Sequence, residues 1–289
     1  MSDIALVIVI VAAFLHSGWN YFLKKSLDKL TYSWAFLVVS LVFYSPMFFY
    51  YWFRADIPME GWLCIAATGL LHVLYYIFMC GAYERGDLSL VYPISRGSGP
   101  LLVPVMAVLF LHEKIYPMGA LGIALVVSGI YVIHLRSFAF DSFVEPFRAV
   151  KHGASSWSIM TGLTIAAYSL VDKVGVGFVE PPLYIYFMLL IVVTSLSPYV
   201  LIKKREELRK EWRCNRNNIL AVGVLVLLTY MMILFAFRMS NVSYVVAVRE
   251  LSIVLSTIYG LVWFKEKHAM QKLTGSFIIA LGVIFIGIS

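Results

Sequence analysis

Ten apolar runs dominate the chain, separated by short polar stretches: 4–23, 32–51, 61–82, 88–111, 117–135, 156–172, 181–202, 219–237, 242–264 and 270–288. Crossing a hydrocarbon core of about 30 Å takes roughly 20 residues of helix, and most runs are near that length. Barrel strands would alternate apolar and polar positions over about 10 residues, whereas these runs are continuous. Helices are then the one spanning structure that satisfies its own peptide groups in lipid. The pattern predicts an all-α membrane protein of ten transmembrane helices. Two runs are less regular: the sixth is short and ends in Asp172 and Lys173, and the fourth carries Arg96 with Pro93, Pro100 and Pro104.

Composition agrees, since 61 % hydrophobic and 13 % charged residues, with a mean hydropathy of +0.86, leave too little polar surface to cover a soluble globule. The opening MSDIALVIVI has no basic n-region, so no cleaved signal peptide is expected. Cys64, Cys80 and Cys214 have no close spacing, which argues against a disulfide framework and a thiolate metal site. No metal and no cofactor are expected.

A net charge of +7 would suggest nucleic acid in a soluble protein, but here it sits in the loops and predicts no such partner. Loops after odd-numbered spans hold 17 Lys and Arg and those after even-numbered spans hold 4, the other two being Arg96 and Arg249. Positive loops stay cytoplasmic, so both termini are expected outside the cytoplasmic (inner) membrane. The run KKREELRKEWRCNRN, 203–217, reads as a solvated cytoplasmic loop attracted to anionic lipid. The Phe-rich stretch 136–155 reads as a connecting loop along the interface.

An internal repeat organises the rest. RGSGPLLVPVMAVLFLHEK, 96–114, aligns without gaps on RELSIVLSTIYGLVWFKEK, 249–267, and the same offset of 153 takes Gly122 to Gly275 and Gly129 to Gly282. An offset of 152 takes Pro46 to Pro198, His16 to Tyr168 and Asn20 to Asp172. This predicts a first five-helix repeat over 1–135, a connecting loop over 136–155 and a second repeat over 156–289. Five spans is an odd number, so the copies must enter the membrane from opposite sides. Inverted repeats enclose a central site and exchange conformations to give alternating access.

Candidate site residues are the polar groups that hydrocarbon excludes. Arg96 and Arg249 each lie roughly 12 Å along their helices, too deep to snorkel easily, and call for a cavity or a carboxylate partner. Structural ion pairs and an anionic substrate group are both open for them. Glu250 directly follows Arg249 and is not expected to share its face, so it could serve another helix, including Arg96. His16, Trp19 and Asn20 share one face at i, i+3 and i+4, and Tyr168 and Asp172 share the corresponding face of span six. His16 is a candidate for proton coupling or for packing. Asp172 with Lys173 could instead be a pair at a span end. The prolines free the carbonyls of Ser89, Arg96 and Pro100, making VYPISRGSGP a candidate broken or bent stretch with Tyr92 and Ser95 as polar contacts. Glu113 and Glu266 read as helix-end turns with a structural or gating role. Gly119, Gly122 and Gly129 suit close packing within a half or between the copies of a homodimer.

AYERGDLSLVYPISRGSGPLL, with the LHEK and FKEK endings, resembles the EamA family of the drug/metabolite transporter superfamily, over essentially the whole chain. The second-half AFRMSNVSYVVAVRELSIVLS matches more loosely, with Val246 and Glu250 where the first half has Pro93 and Gly97. The resemblance implies a ten-helix secondary transporter, commonly an exporter of amino acids and other small metabolites. HSGWN with VYPISRG is also similar to a branch linked to phosphonate utilisation. The family's usual cytoplasmic termini conflict with the charge count, which is kept here. The expected partners are a small-molecule substrate and the lipid bilayer, with protons as a coupling ion. An intramembrane enzyme is the competing class, but no HExxH, paired aspartates or serine beside a base stands on a helix face. A lipid scramblase or channel using the same polar cavity is the other alternative.

Overall fold

The computed structural model describes residues 1–85, 88–135, 137–138, 153–264 and 268–289, with backbone alone at 20, 21, 24, 83, 84, 88–93, 96, 153–155, 260, 263 and 264. The expectations for Glu266, for most of the 136–155 loop, and for the side chains of Asn20, Tyr92 and Arg96 lie outside the described residues.

Among the described residues every regular element is a helix: α1 (Asp3–Lys25), α2 (Lys29–Trp52), α3 (Met59–Arg85), α4 (Leu88–Leu111), α5 (Pro117–Ile133), α6 (Gly153–Gly175), α7 (Pro181–Lys203), α8 (Arg205–Met239), α9 (Val242–Arg249), α10 (Leu251–Phe264) and α11 (Ala269–Gly287). Each apolar run of the sequence lies on a helix, the ninth being divided into α9 and α10. Local signals mark the starts: Ser2 caps α1, Asp28 caps α2, and Pro117 and Pro181 occupy the first positions of α5 and α7. Among the described residues six helical stretches are long and apolar enough to cross a membrane, and three further apolar stretches are shorter. The outer surface carries Phe14, Val42, Phe110, Ile202, Val262 and Phe277, all at least half exposed, which suits lipid and not water.

Three expectations are corrected. The basic run is not a loop: α8 begins at Arg205 and continues through a non-helical residue, Asn215, into the apolar span. Arg, Lys, Glu and Leu are good helix formers, and hydropathy finds spans without registering polar helices. One face of this segment is also anchored, because fully buried Glu211 accepts from the Asp28 N–H at 2.6 Å and from Asn215 Nδ2 at 2.8 Å. Second, α4 runs as one helix across Pro93, Pro100 and Pro104, and the interruption lies instead in its counterpart, at Glu250. Packed neighbours can satisfy the carbonyls that a proline frees, so prolines do not by themselves end a membrane helix. Third, the glycines serve neither packing within a half nor a dimer surface. Gly119 faces the ring of Tyr244, Gly122 meets Gly282, and Gly129 meets Gly275.

These last contacts reverse order along the pair, so α5 and its counterpart α11 run antiparallel at backbone contact. The other contacts between halves follow the same exchange. α1 packs on α8 as α6 packs on α3; α4 packs on α6 as α9 and α10 pack on α1; α2 packs on α8 as α7 packs on α3.

The base of α8 is tied to α2 by Lys204 Nζ, 3.0 Å from Asp28 Oδ2. Burial disfavours the Asp28 carboxylate, but the Thr31 N–H and the Lys204 ammonium more than offset it and hold its pKa below the ordinary aspartate value. A depressed carboxylate stabilises the fold above its unfolded pKa, near 4, and that contribution disappears as pH falls through the folded value. The melting temperature should therefore fall less for Asp28→Asn than for wild type between about pH 6 and pH 3, read by thermal melting of both proteins.

Candidate functional site

Asp172 stands three residues before the end of α6, yet its side chain is fully buried beneath α3, α7 and α8. Its Oδ1 accepts from Thr68 Oγ1 at 2.5 Å and from the Tyr184 hydroxyl at 3.0 Å, and its Oδ2 accepts from the Tyr230 hydroxyl. Three helices thus send hydroxyl donors to one carboxyl group.

One turn along α3 from Thr68, buried His72 brings Nδ1 within 2.9 Å of the Thr68 carbonyl and 3.2 Å of Thr68 Oγ1. A carbonyl can only accept, so Nδ1 carries a hydrogen and donates it to Thr68. The ring stacks on Tyr168 at 4.1 Å and meets Tyr230 edge-on at 5.6 Å, and Tyr75 closes on Tyr168 at 6.0 Å. Arg249, at the end of α9, acts electrostatically on both His72 and Tyr230. The centre therefore combines a carboxylate, an imidazole, a guanidinium and several phenols, able to hold a polar solute or pass a proton between neighbours.

Arg249 and Glu250 are both buried, and Arg249 Nη2 lies 3.6 Å from Glu250 Oε1. This corrects the expectation that adjacent residues point apart. It holds within a regular helix, but here Glu250 caps the end of α9 and the chain restarts at Leu251. Ser95 is buried, with no hydrogen-bond partner for its Oγ among the described residues. His16 and Trp19 are placed by other contacts: their rings meet edge-to-face at 4.8 Å, and Trp19 leans on Phe36 at 6.0 Å.

Asp172 and Lys173 do not form a pair at the span end. Lys173 Nζ turns to the carbonyls of Phe237 and Ser240, where it meets the negative end of α8. Glu113 does the converse for α9, accepting from the Val242 N–H at 2.6 Å and from the Ser243 hydroxyl at 2.7 Å. Arg238 reaches the Val176 carbonyl and forks onto Glu180 at 2.7 and 3.1 Å. Glu113 and the bond from Asn241 to the Lys114 carbonyl join the two halves, the Lys173 and Arg238 contacts lie within the second half, and together they tie up the end of the bundle next to Asp172.

Of the residues singled out from sequence, the structure gathers Tyr168, Asp172 and Arg249, with Glu250 beside Arg249. It adds Thr68, His72, Tyr184 and Tyr230, which sequence reasoning missed. The signal for His72 was present: an ionisable residue in LLHVLYY, inside a span, with Thr68 one turn before it.

Residues 3–135 and 153–288 each match the EamA-like transporter family. An "Uncharacterized transporter in cobO 3'region" from Sinorhizobium sp is 33 % identical over 75 residues, 26 % of this chain and 52 % of that protein. The chain thus spans about half of that relative's length. A solved structure described only as "Crystal structure of protein" shares the fold with a TM-score of 0.72 at 15 % identity, covering 97 % of both chains. The chain belongs to the EamA-like transporter family and is a multi-pass membrane protein.

Proposed function

We propose that the chain is a secondary active carrier that exports a small polar or anionic metabolite, an amino-acid-like compound, organic acid or phosphonate, across the cytoplasmic membrane. Its two halves insert in opposite senses and alternate access to one site by exchanging conformations. The observation that carries this reading is the burial of Asp172, His72 and Arg249 in one cluster where helices of both halves meet. Ionisable groups at such depth are expensive, and they mark substrate and proton pathways in membrane proteins. In the proposed roles Arg249 meets the anionic group of the substrate and Asp172 with His72 carries the coupling proton. Arg96 is proposed to share the anion and Glu250 to hold Arg249 between substrates. The links around Lys173, Arg238 and Glu113 act as the gate at the even-loop end, the outer end in this reading, which the charge bias of the loops supports.

The test is saturable flux in liposomes. Purified protein is reconstituted and offered amino acids, organic anions and phosphonates with and without an imposed proton gradient. Saturable movement of one class that responds to the gradient is the expected result. Flux that never saturates would identify a channel, and translocation of labelled phospholipid alone a scramblase. Orientation is read separately by impermeant thiol labelling of single cysteines: positions 52–58 should label from outside and 203–216 should not.

A further inference from the structure

Beneath the first turns of α8 runs a groove of about 970 Å³ that has no part in the cluster around Asp172. Its floor is the outer face of α2, including Val38, Val42 and Phe43, with Val42 70 % and Phe43 57 % exposed. Its rim is the polar start of α8, where Arg209, Lys210 and Arg213 stand exposed. Glu206 shares the rim and takes up one side of Arg209 at 2.8 Å, so three cations face one carboxylate there.

We propose that this groove binds one anionic glycerophospholipid, with an acyl chain along α2 and the headgroup phosphate at Lys210 and Arg213. From Trp34, which also lines the groove, to Phe43 the floor spans about 14 Å at 1.5 Å per residue, a length suited to the upper part of an acyl chain. The floor is wholly apolar and the cations are confined to one end, which is the polarity of a phospholipid and not of a soluble phosphate. The segment cannot swing away from the groove freely, because Glu211 and Lys204 fasten it to Asp28 at the start of α2. Trp212, part-exposed on the same rim, suits the headgroup level where indoles concentrate. The proposal rests on the chain lying in a membrane and is independent of the substrate and of the direction of transport.

The full-length protein is placed in nanodiscs of equal phosphatidylcholine and phosphatidylglycerol, extracted in mild detergent, and the retained lipid is identified by native mass spectrometry. Wild type should retain phosphatidylglycerol over phosphatidylcholine by roughly tenfold, because each basic residue at a membrane surface adds a several-fold preference for anionic lipid. Lys210→Gln with Arg213→Gln should abolish the preference. Lys203→Gln with Arg205→Gln removes the same charge from the same run outside the groove and should keep it. Val42→Trp fills the floor without touching a charge and should also lose the retained lipid. Melting of all variants near the wild-type temperature excludes unfolding as the cause. Equal loss in the two charge variants, retention in Val42→Trp, or displacement of the lipid by soluble glycerol 3-phosphate would each overturn the assignment.

Discussion

Replacing Asp172 with Asn should cut saturable flux by roughly tenfold or more while leaving a folded protein, because the amide keeps the shape of the carboxylate and loses its charge. The hydroxyls of Thr68, Tyr184 and Tyr230 all converge on this side chain. Hydrogen bonds to a charged group are worth about 1.5 to 3 kcal/mol each, and a buried donor left without an acceptor costs a comparable amount. Asp172→Ala should therefore lower the melting temperature as well as the flux. Tyr230→Phe removes one donor of three and should have an intermediate effect. The pair of measurements is flux in proteoliposomes and melting of the same preparations. An Asn variant that transports at the wild-type rate, or an Ala variant that melts like wild type, would refute this account of Asp172.

Gly129→Ala and Gly275→Ala should each destabilise the protein by about 1 to 3 kcal/mol, the cost of overpacking a closely fitted contact. A Cβ on Gly129 would lie 2.7 Å from the Gly275 carbonyl, and one on Gly275 would lie 2.6 Å from the Gly129 carbonyl. Both obstacles are backbone, so the only relief is separation of α5 from α11 along the seam between the halves. Helix propensity works the other way, alanine being favoured over glycine by about 1 kcal/mol in a helix interior. Gly18 provides the contrast, since a Cβ there meets nothing within 4 Å among the described residues, and Gly18→Ala should not destabilise. Melting temperatures of the purified variants decide the matter. Tolerance at Gly129 and Gly275 equal to that at Gly18 would mean that the seam is looser than the geometry shows.

What was legible from sequence, and what was not, follows from the physics of each feature. Spans declare themselves because lipid demands a continuous apolar length, so α4 is found from 88 to 111 by hydropathy alone. The duplication is visible because Arg, Glu and Gly recur at fixed spacing, but the antiparallel seam of Gly122, Gly129, Gly275 and Gly282 was not, because a small residue announces a close contact without naming the partner helix. The start of α8 was hidden, since its buried face is carried by Leu208, Glu211 and Asn215, which hydropathy counts as mostly polar. The break at Glu250 was hidden for the opposite reason: no proline or glycine announces it, while the three prolines of α4 suggested a break that is not there. In the site, Asp172 was found by its counterpart Asn20 and its place in a helix face. Its donors Tyr184 and Tyr230 were not, because a tyrosine in an apolar run reads as packing until tertiary structure brings a carboxylate to its hydroxyl.

The unequal fourth spans carry a further consequence. In a carrier whose halves trade places, the energies of the outward- and inward-facing states would be identical if the halves were identical, since each state would be the other viewed from the far side. The offset between them is therefore the sum of the differences between paired positions. Val246 against Pro93, and Glu250 against Gly97, with a chain interruption in one half alone, are such differences. On this reasoning the resting bias of the proposed carrier is not held by its gate contacts alone. It is distributed over the places where two once-equal copies have drifted apart, and restoring likeness at any of them should move the protein towards equal occupancy of its two faces.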